Sequence, residues 1–125
     1  MIHTELTSDY GRGAGRLLLL DADRRHADTL IARLLSHNLH VDAYADPQQA
    51  IAQLRGRSSE YEVVIINVSS RSVPWLTILH KLDQACRRSV AGQARPFFLC
   101  LSTNQQQPEF VLQIERNGAR YVRER

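Results

Sequence analysis

Polar side chains that could do chemistry follow several short apolar runs of this sequence. Asp21 and Asp23 follow RLLLL, Asn67 closes VVIIN, Ser102 closes FFLCLS, and Glu124 follows RYVR. Carboxylates can act as nucleophiles or bind hard cations such as Mg²⁺, whereas the amide of Asn67 is neutral and a poor nucleophile. The residue types therefore raise the question of whether this set of groups is still chemically competent.

Composition limits the classes to which the chain can belong. Its 125 residues, 43% hydrophobic and 23% charged, are typical of one globular domain. No apolar run approaches the roughly 20 residues of a membrane helix, and the N-terminus lacks the apolar core of a secretory signal. We expect a cytoplasmic protein with no membrane partner. Cys86 and Cys100 are expected to be buried thiols in a reducing compartment.

The net charge of +3 comes mostly from arginines that are scattered along the chain. A nucleic-acid surface would show a basic stripe with interleaved aromatic residues or a recognition helix, and neither is visible. The sequence therefore predicts no direct nucleic-acid binding by this segment.

Apolar strands and amphipathic helices alternate after a polar lead-in, residues 1–15, that we expect to be flexible. Strands are predicted at RLLLLDAD, HVDAYA, EVVIINV, PFFLCLS and RYVRE. Helices are predicted over about 23–38, 46–56, 75–90 and 108–117, the second with Asp46 as N-cap and Pro47 in its first turn. Strands that are apolar on both faces and alternate with helices indicate an α/β protein with a parallel sheet covered on both sides.

Four segments carry a family resemblance: LLLLDAD, YEVVIINVSS, PFFLCLST and NGARYVRE. Over about residues 16–125 the chain resembles the receiver domain of bacterial two-component response regulators. The resemblance implies one receiver-like domain with a flavodoxin-like, doubly wound, five-stranded parallel sheet. The active site of such a sheet lies where the strands end at their carboxyl edge.

Receivers use two acids after strand one for Mg²⁺ and an aspartate at the end of strand three as the phosphoryl acceptor. Asp21 falls on the first acid, Ala22 replaces the second, and Asn67 replaces the acceptor. Since a carboxylate needs Mg²⁺ and a nearby cation to attack a phosphoryl group, the resemblance predicts no catalysis and weak or absent Mg²⁺ binding. We therefore expect no cofactor and no enzymatic activity.

The remaining family positions lie on strands four and five. Ser102 falls on the hydroxyl that grips the phosphoryl group, and Glu124 falls on the lysine that neutralises it. Tyr121 falls on a mobile aromatic that reports activation in the family; here packing is the favoured role. We predict that the Asn67 amide donates to Asp21. Glu124 is expected to be repelled by Asp21, and so to swing to solvent or pair with an arginine on another element.

The sequence also has no residues for the fifth helix that follows strand five in receivers. The faces of Phe98, Val122 and the last helix are then expected to be exposed. A continuation in a longer protein, or a second copy of the chain in a homodimer, would cover them.

These substitutions together indicate a pseudo-receiver, a phosphorylation-independent signalling domain that binds a protein partner or itself. It would form the N-terminal part of a bacterial response or transcription regulator. The alternative is a phosphoaccepting receiver with a shifted acidic site, Asp21 or Asp23. A flavodoxin-like cofactor binder would need a glycine in the loop DADRRHADT, which has none. Four of the five histidines lie after the lead-in, and they show no metal-ligand spacing: His26, His37, His40 and His80.

Overall fold

The computed structural model of the protein describes residues 15–87 and 95–124. The strands are β1 (Arg16–Leu20), β2 (His40–Tyr44), β3 (Val63–Asn67), β4 (Phe97–Ser102) and β5 (Arg120–Arg123). The helices are α1 (Arg24–Ser36), α2 (Pro47–Leu54), α3 (Trp75–Arg87) and α4 (Pro108–Arg116). The predicted alternation is confirmed. Except for Gly15, the predicted lead-in lies outside the described residues, as does the predicted extension of the third helix to residue 90.

All five strands form one parallel sheet in the order β2-β1-β3-β4-β5. The reversal of strand order at β1 and β3 makes the sheet doubly wound, so the predicted flavodoxin-like class is confirmed. β1 and β3 lie in the interior of the sheet, and their runs LLLL and VIIN are buried throughout. Continuous apolar sequence is what burial on both faces requires.

Local capping explains where two of the helices begin. The Asp23 carboxylate accepts a hydrogen bond from the His26 backbone N–H, so α1 starts directly after it. Asp46 accepts from the Gln48 N–H at the start of α2, with Pro47 in the first turn, as predicted. Gly56 follows α2 with a φ of 78°, a conformation that favours glycine.

The two faces of the sheet are covered unequally. One face packs against α2, α3 and α4 and forms the larger core, which includes Leu54, Leu82 and Ile114. Among the described residues, the other face packs against α1 alone, in a smaller core that includes Leu19 and Ile65. The described residues thus contain four helices, one fewer than the receiver fold has.

The unequal covering exposes Phe97 and Val122, which are 49% and 45% accessible. The expectation that Phe98 would be exposed is wrong, because Phe98 is only 7% accessible and packs in the larger core. Side chains of neighbouring residues in a strand point to opposite faces, so Phe97 and not Phe98 lies on the face with one helix. The exposure expected for Val122 is confirmed. The last helix is mixed, with Leu112 exposed and Ile114 buried.

Both cysteines are free and buried. Burial raises the pKa of the Cys86 thiol to about 11 and that of Cys100 to about 12, so neither forms a reactive thiolate near neutral pH. Within residues 15–87 and 95–124, no helix has the length and apolar content needed to cross a bilayer.

Candidate functional site

The sheet brings four of the predicted residues to its carboxyl edge. Asp21 directly follows β1, Asn67 ends β3, Ser102 ends β4, and Glu124 directly follows β5. The Glu124 backbone N–H donates to the Ser102 carbonyl at 2.7 Å, which continues the β4–β5 pairing by one residue. Because adjacent parallel strands end at one edge, side chains far apart in sequence meet there.

Asp21 is the centre of this edge. Its side chain has 0% accessibility, and Oδ1 accepts from the Asn67 amide Nδ2 at 3.0 Å and from the Asp23 backbone N–H at 2.9 Å. Its other oxygen, Oδ2, accepts from Nδ1 of His26. The predicted hydrogen bond from Asn67 to Asp21 is therefore present. Each oxygen of this buried carboxylate has a donor, as burial of a charge demands.

His26, in the first turn of α1, bridges two carboxylates. Nδ1 contacts Asp21, and Nε2 lies 2.7 Å from Oε2 of Glu124. Ionised carboxylates only accept hydrogen bonds, so when both carboxyl groups are ionised this geometry places a proton on each ring nitrogen and a positive charge on the ring. Burial by itself would lower the pKa of His26, but the hydrogen bonds to Asp21 and Glu124 outweigh it and raise this pKa. In its protonated form the imidazole is the cation of the site.

The structure corrects the expectation for Glu124. Its side chain is 34% accessible and pairs with His26, rather than with an arginine or with solvent alone. Sequence reasoning considered His26 only as a metal ligand and therefore missed it. The position of His26 in the helix could have identified it. His26 lies three residues after the N-cap Asp23, and helical side chains point back towards the N-terminus of the helix, which here follows Asp21.

Asn67 is held by bonds at both ends of its amide. While Nδ2 donates to Asp21, Oδ1 accepts from the Ser69 backbone N–H at 3.0 Å and from the Ser69 hydroxyl at 2.5 Å. The Ser69 hydroxyl in turn accepts from the Thr103 N–H at 2.9 Å. The amide therefore joins the ends of β1 and β3 and the loop after β4, a role that uses its donor and its acceptor together.

Ser102 is not part of the Asp21 cluster. Its hydroxyl is buried and contacts the carbonyl and the Oδ1 of Asn104 at 2.5 and 2.7 Å, and it accepts from Gln106 Nε2 at 3.2 Å. Within the described residues, none of its hydrogen bonds reaches Asp21, His26 or Asn67. Ser102 thus shapes the loop between β4 and α4.

The other two predicted positions contribute no polar contact to the cluster. Ala22 is exposed in the loop after β1 and has no ligand atom to offer. Tyr121 packs against the larger core, and its buried hydroxyl has no hydrogen-bond partner among the described residues. The packing role favoured for Tyr121 agrees with this placement.

A divalent metal does not fit the residues present. Mg²⁺ requires near-octahedral oxygen ligands at about 2.0–2.1 Å. Both oxygens of Asp21 already accept hydrogen bonds, and Ala22 has no carboxylate to offer as a second ligand. The protonated His26 ring, in contact with Asp21, would also repel a cation. No group of three His, Cys, Asp or Glu side chains within residues 15–87 and 95–124 has the geometry to hold a metal ion.

The fold is similar to that of several solved structures. A Burkholderia pseudomallei protein described as related to pilus assembly has a TM-score of 0.65 and 18% identity, covering 89% of this chain and 78% of that one. A two-component response regulator from Clostridium difficile has a TM-score of 0.70 and 14% identity, covering 88% and 83%. The receiver domain of the Arabidopsis thaliana histidine kinase CKI1, complexed with Mg²⁺, has a TM-score of 0.73 and 8% identity, covering 87% and 82%.

Neither a family model nor a curated protein sequence matches the chain. The structural similarity to these three proteins covers 87–89% of this chain. The described part of this chain therefore has the fold of response regulator receiver domains.

Proposed function

We propose that the chain is a pseudo-receiver: a non-enzymatic signalling domain that acts through protein contacts without being phosphorylated. The receiver fold suggests a role in two-component signalling. The observation that carries the proposal is the closed set of contacts among Asp21, His26, Asn67 and Glu124 at the carboxyl edge of the sheet.

The contacts of Asn67 support the absence of phosphoryl transfer. An amide cannot form the acyl phosphate that an aspartate forms, and this amide is engaged with Asp21 and Ser69. The nearest carboxylate, Asp21, has 0% side-chain accessibility and a donor on each oxygen, so it is a poor nucleophile. Asp23 is accessible, but its Oδ1 caps α1 at 3.1 Å from the His26 N–H. No contact favours the alternative of a shifted acceptor at Asp21 or Asp23.

Charge compensation supports the same proposal. A receiver such as the Arabidopsis domain is complexed with Mg²⁺, whereas His26 here supplies positive charge from within the chain. We propose that the domain needs neither a metal nor another cofactor for its conformation, because the imidazole between its two carboxylates already reduces their mutual repulsion.

The proposed partner is another protein or a second copy of the chain. Exposed Phe97 and Val122 lie on the face that α1 alone covers among residues 15–87 and 95–124, and they provide apolar area of the kind that protein interfaces use. A bacterial response or transcription regulator in which this is the N-terminal part fits the proposal, with any nucleic-acid contact made by another part. A cytoplasmic location belongs to the same proposal.

The test is treatment with acetyl phosphate and, separately, with beryllofluoride, each with Mg²⁺, followed by intact-mass measurement and amide NMR. We expect no added phosphoryl mass and no saturating shifts at residues 21–23, 67 or 124. A labelled protein whose label disappears in Asp21→Ala or Asp23→Ala, but remains in the exposed control Asp28→Ala, would establish the shifted acceptor instead.

A further inference from the structure

We infer that the His26 imidazole takes the place of a bound metal ion in the crevice formed by Asp21, Asn67 and Glu124, and that it also holds the end of β5 to the start of α1. The inference rests on the proposed function, since it names how the crevice stays ordered without phosphoryl chemistry. The proposed site consists of a charged ring between two carboxylates, and it is complete without an external ligand.

The first step is the charge balance. Asp21 and Glu124 both face His26, and the carboxylate of Asp23 caps the helix turn that carries it. No lysine or arginine in the described part of the chain pairs with Asp21 or Glu124. Removing the imidazole would therefore leave two carboxylates facing one gap, with Asp21 fully buried.

The second step is occupancy. The two ring nitrogens lie on opposite sides of the imidazole and each contacts a different carboxylate, so the ring itself fills the space between them. A divalent ion could reach both carboxylates only by displacing the ring. The ring thus excludes a metal sterically as well as by its charge.

The third step is mechanical. β5 is four residues long, lies at an edge of the described sheet and pairs with β4. The contact between His26 and Glu124 joins residues 98 positions apart, and it is the only side-chain hydrogen bond from residues 120–124 within the described ranges. The start of α1 and the end of β5 are therefore coupled through one ring.

The experiment compares the unmodified protein with His26→Ala and His26→Gln. We expect Mn²⁺ to cause no localised broadening of amide NMR signals in the unmodified protein. In His26→Ala we expect broadening centred on residues 21, 22 and 124, with Mn²⁺ binding strengthened about tenfold or more by the freed carboxylates. Hydrogen exchange of the Arg123 and Glu124 amides should become about tenfold faster, because a charge-assisted hydrogen bond is lost.

Two further variants make the result specific. The double variant His26→Ala/Glu124→Gln removes one of the freed carboxylates and should lose most of the gained Mn²⁺ binding. His37→Gln, at the other end of α1, is the matched histidine control and should behave like the unmodified protein. If His26→Ala fails to fold by circular dichroism, His26→Gln provides the same comparison, since Gln removes the charge but keeps a polar side chain.

Equal Mn²⁺ broadening with and without His26, or unchanged Mn²⁺ binding and exchange in both His26 variants, would overturn the inference. This outcome is separate from failure of the proposed function. Phosphoryl labelling of the unmodified protein would overturn the proposed function, whereas an unlabelled protein whose crevice ignores His26 substitution would overturn only the role of the ring.

Discussion

The described part of the chain contains two clusters in which a histidine contacts a carboxylate, and they lie towards opposite ends of the sheet. The carboxyl-edge cluster consists of Asp21, His26, Asn67 and Glu124. The amino-side cluster consists of Arg16, His40, Asp42, Gln53 and Tyr61. Both are built from long-range contacts between polar side chains, but at the carboxyl edge one imidazole lies between two carboxylates, whereas on the amino side several side-chain donors converge on one carboxylate.

In the amino-side cluster one carboxylate receives several donors. Asp42 accepts from Arg16 Nη2 at 3.1 Å and from the Tyr61 hydroxyl at 2.5 Å, and its Oδ1 lies 3.0 Å from His40 Nε2. Gln53 Nε2 donates to the Tyr61 oxygen at 2.9 Å, and the Arg16 guanidinium lies 5.7 Å from the centre of the Tyr61 ring. The cluster ties the edge strand β2 to β1 and to the segment before β3, and we assign it a structural role.

In the carboxyl-edge cluster two carboxylates share one imidazole, and one of them, Glu124, is one-third accessible. A histidine beside a carboxylate is thus not by itself a sign of function. The location of the cluster in the fold separates the two roles. The carboxyl edge of a parallel sheet is formed by loops, where a residue can change its charge without disturbing the backbone hydrogen bonds between strands. We therefore expect substitutions in the amino-side cluster to cost more stability than substitutions at the carboxyl edge.

The largest expected effect is that of Asp42→Ala. The substitution leaves Arg16 and the buried Tyr61 hydroxyl without their acceptor, which should lower the free energy of unfolding by about 2–4 kcal/mol. Urea denaturation would measure it, with the exposed Asp28→Ala as control. A loss no greater than that of Asp28→Ala would remove the proposed distinction between the clusters.

Asn67→Asp should lower stability by about 1–2 kcal/mol, because it replaces a donor to Asp21 with a second negative charge. We also expect it not to restore phosphorylation by a small phosphodonor, since the second acid and the lysine remain missing. The swap Asp21→Asn/Asn67→Asp keeps one carboxylate and one amide and should recover part of the lost stability. Efficient labelling of the single variant would contradict the prediction.

Changes of pH should weaken the two clusters from opposite directions. Burial by itself would raise the pKa of Asp42, but hydrogen bonds from Tyr61, Arg16 and His40 outweigh it and lower this pKa below the ordinary 3.8. Its stabilisation is present above that value and is lost as the pH falls through the folded-state pKa. The stability difference between the unmodified protein and Asp42→Asn should accordingly shrink in acid.

The stabilisation contributed by His26 should depend on pH in the opposite direction. Its pKa is raised above the ordinary 6.5, so its stabilisation is complete below that value and is lost as the pH rises through the folded-state pKa. The stability difference between the unmodified protein and His26→Gln, measured by urea denaturation across pH 5–9, should therefore decrease on the alkaline side. A difference that grows with pH would contradict the assigned charge of the ring.

The smallest expected effect is that of Glu124→Gln, about 0.5–1 kcal/mol, because its side chain is partly accessible and the amide can still accept from His26. Thermal unfolding with Glu115→Gln, exposed on α4, as control would measure it. A loss as large as that of Asp42→Ala would mean that the two clusters contribute equally to stability.

Short-range patterns predicted most of the fold and part of the candidate site. Apolar runs gave the five strands, and Asp46 with Pro47 gave the start of α2. Asp21 and Asn67 could be placed together because each ends an interior strand. The run FFLCLS did not show which of Phe97 and Phe98 points to the less covered face of the sheet. Both faces of β4 are apolar, and alternation alone does not say which face has fewer helices.

The sequence by itself determined the succession of strands and helices, the parallel sheet, and the presence of an amide at position 67, because periodicity, capping and residue type are local properties. Tertiary structure alone decided that His26 would stand between Asp21 and Glu124, and that Asp42 would gather its donors from Arg16, His40 and Tyr61. Those contacts depend on the orientation of side chains from distant segments, which is set by how α1 and the strand ends pack and not by sequence spacing.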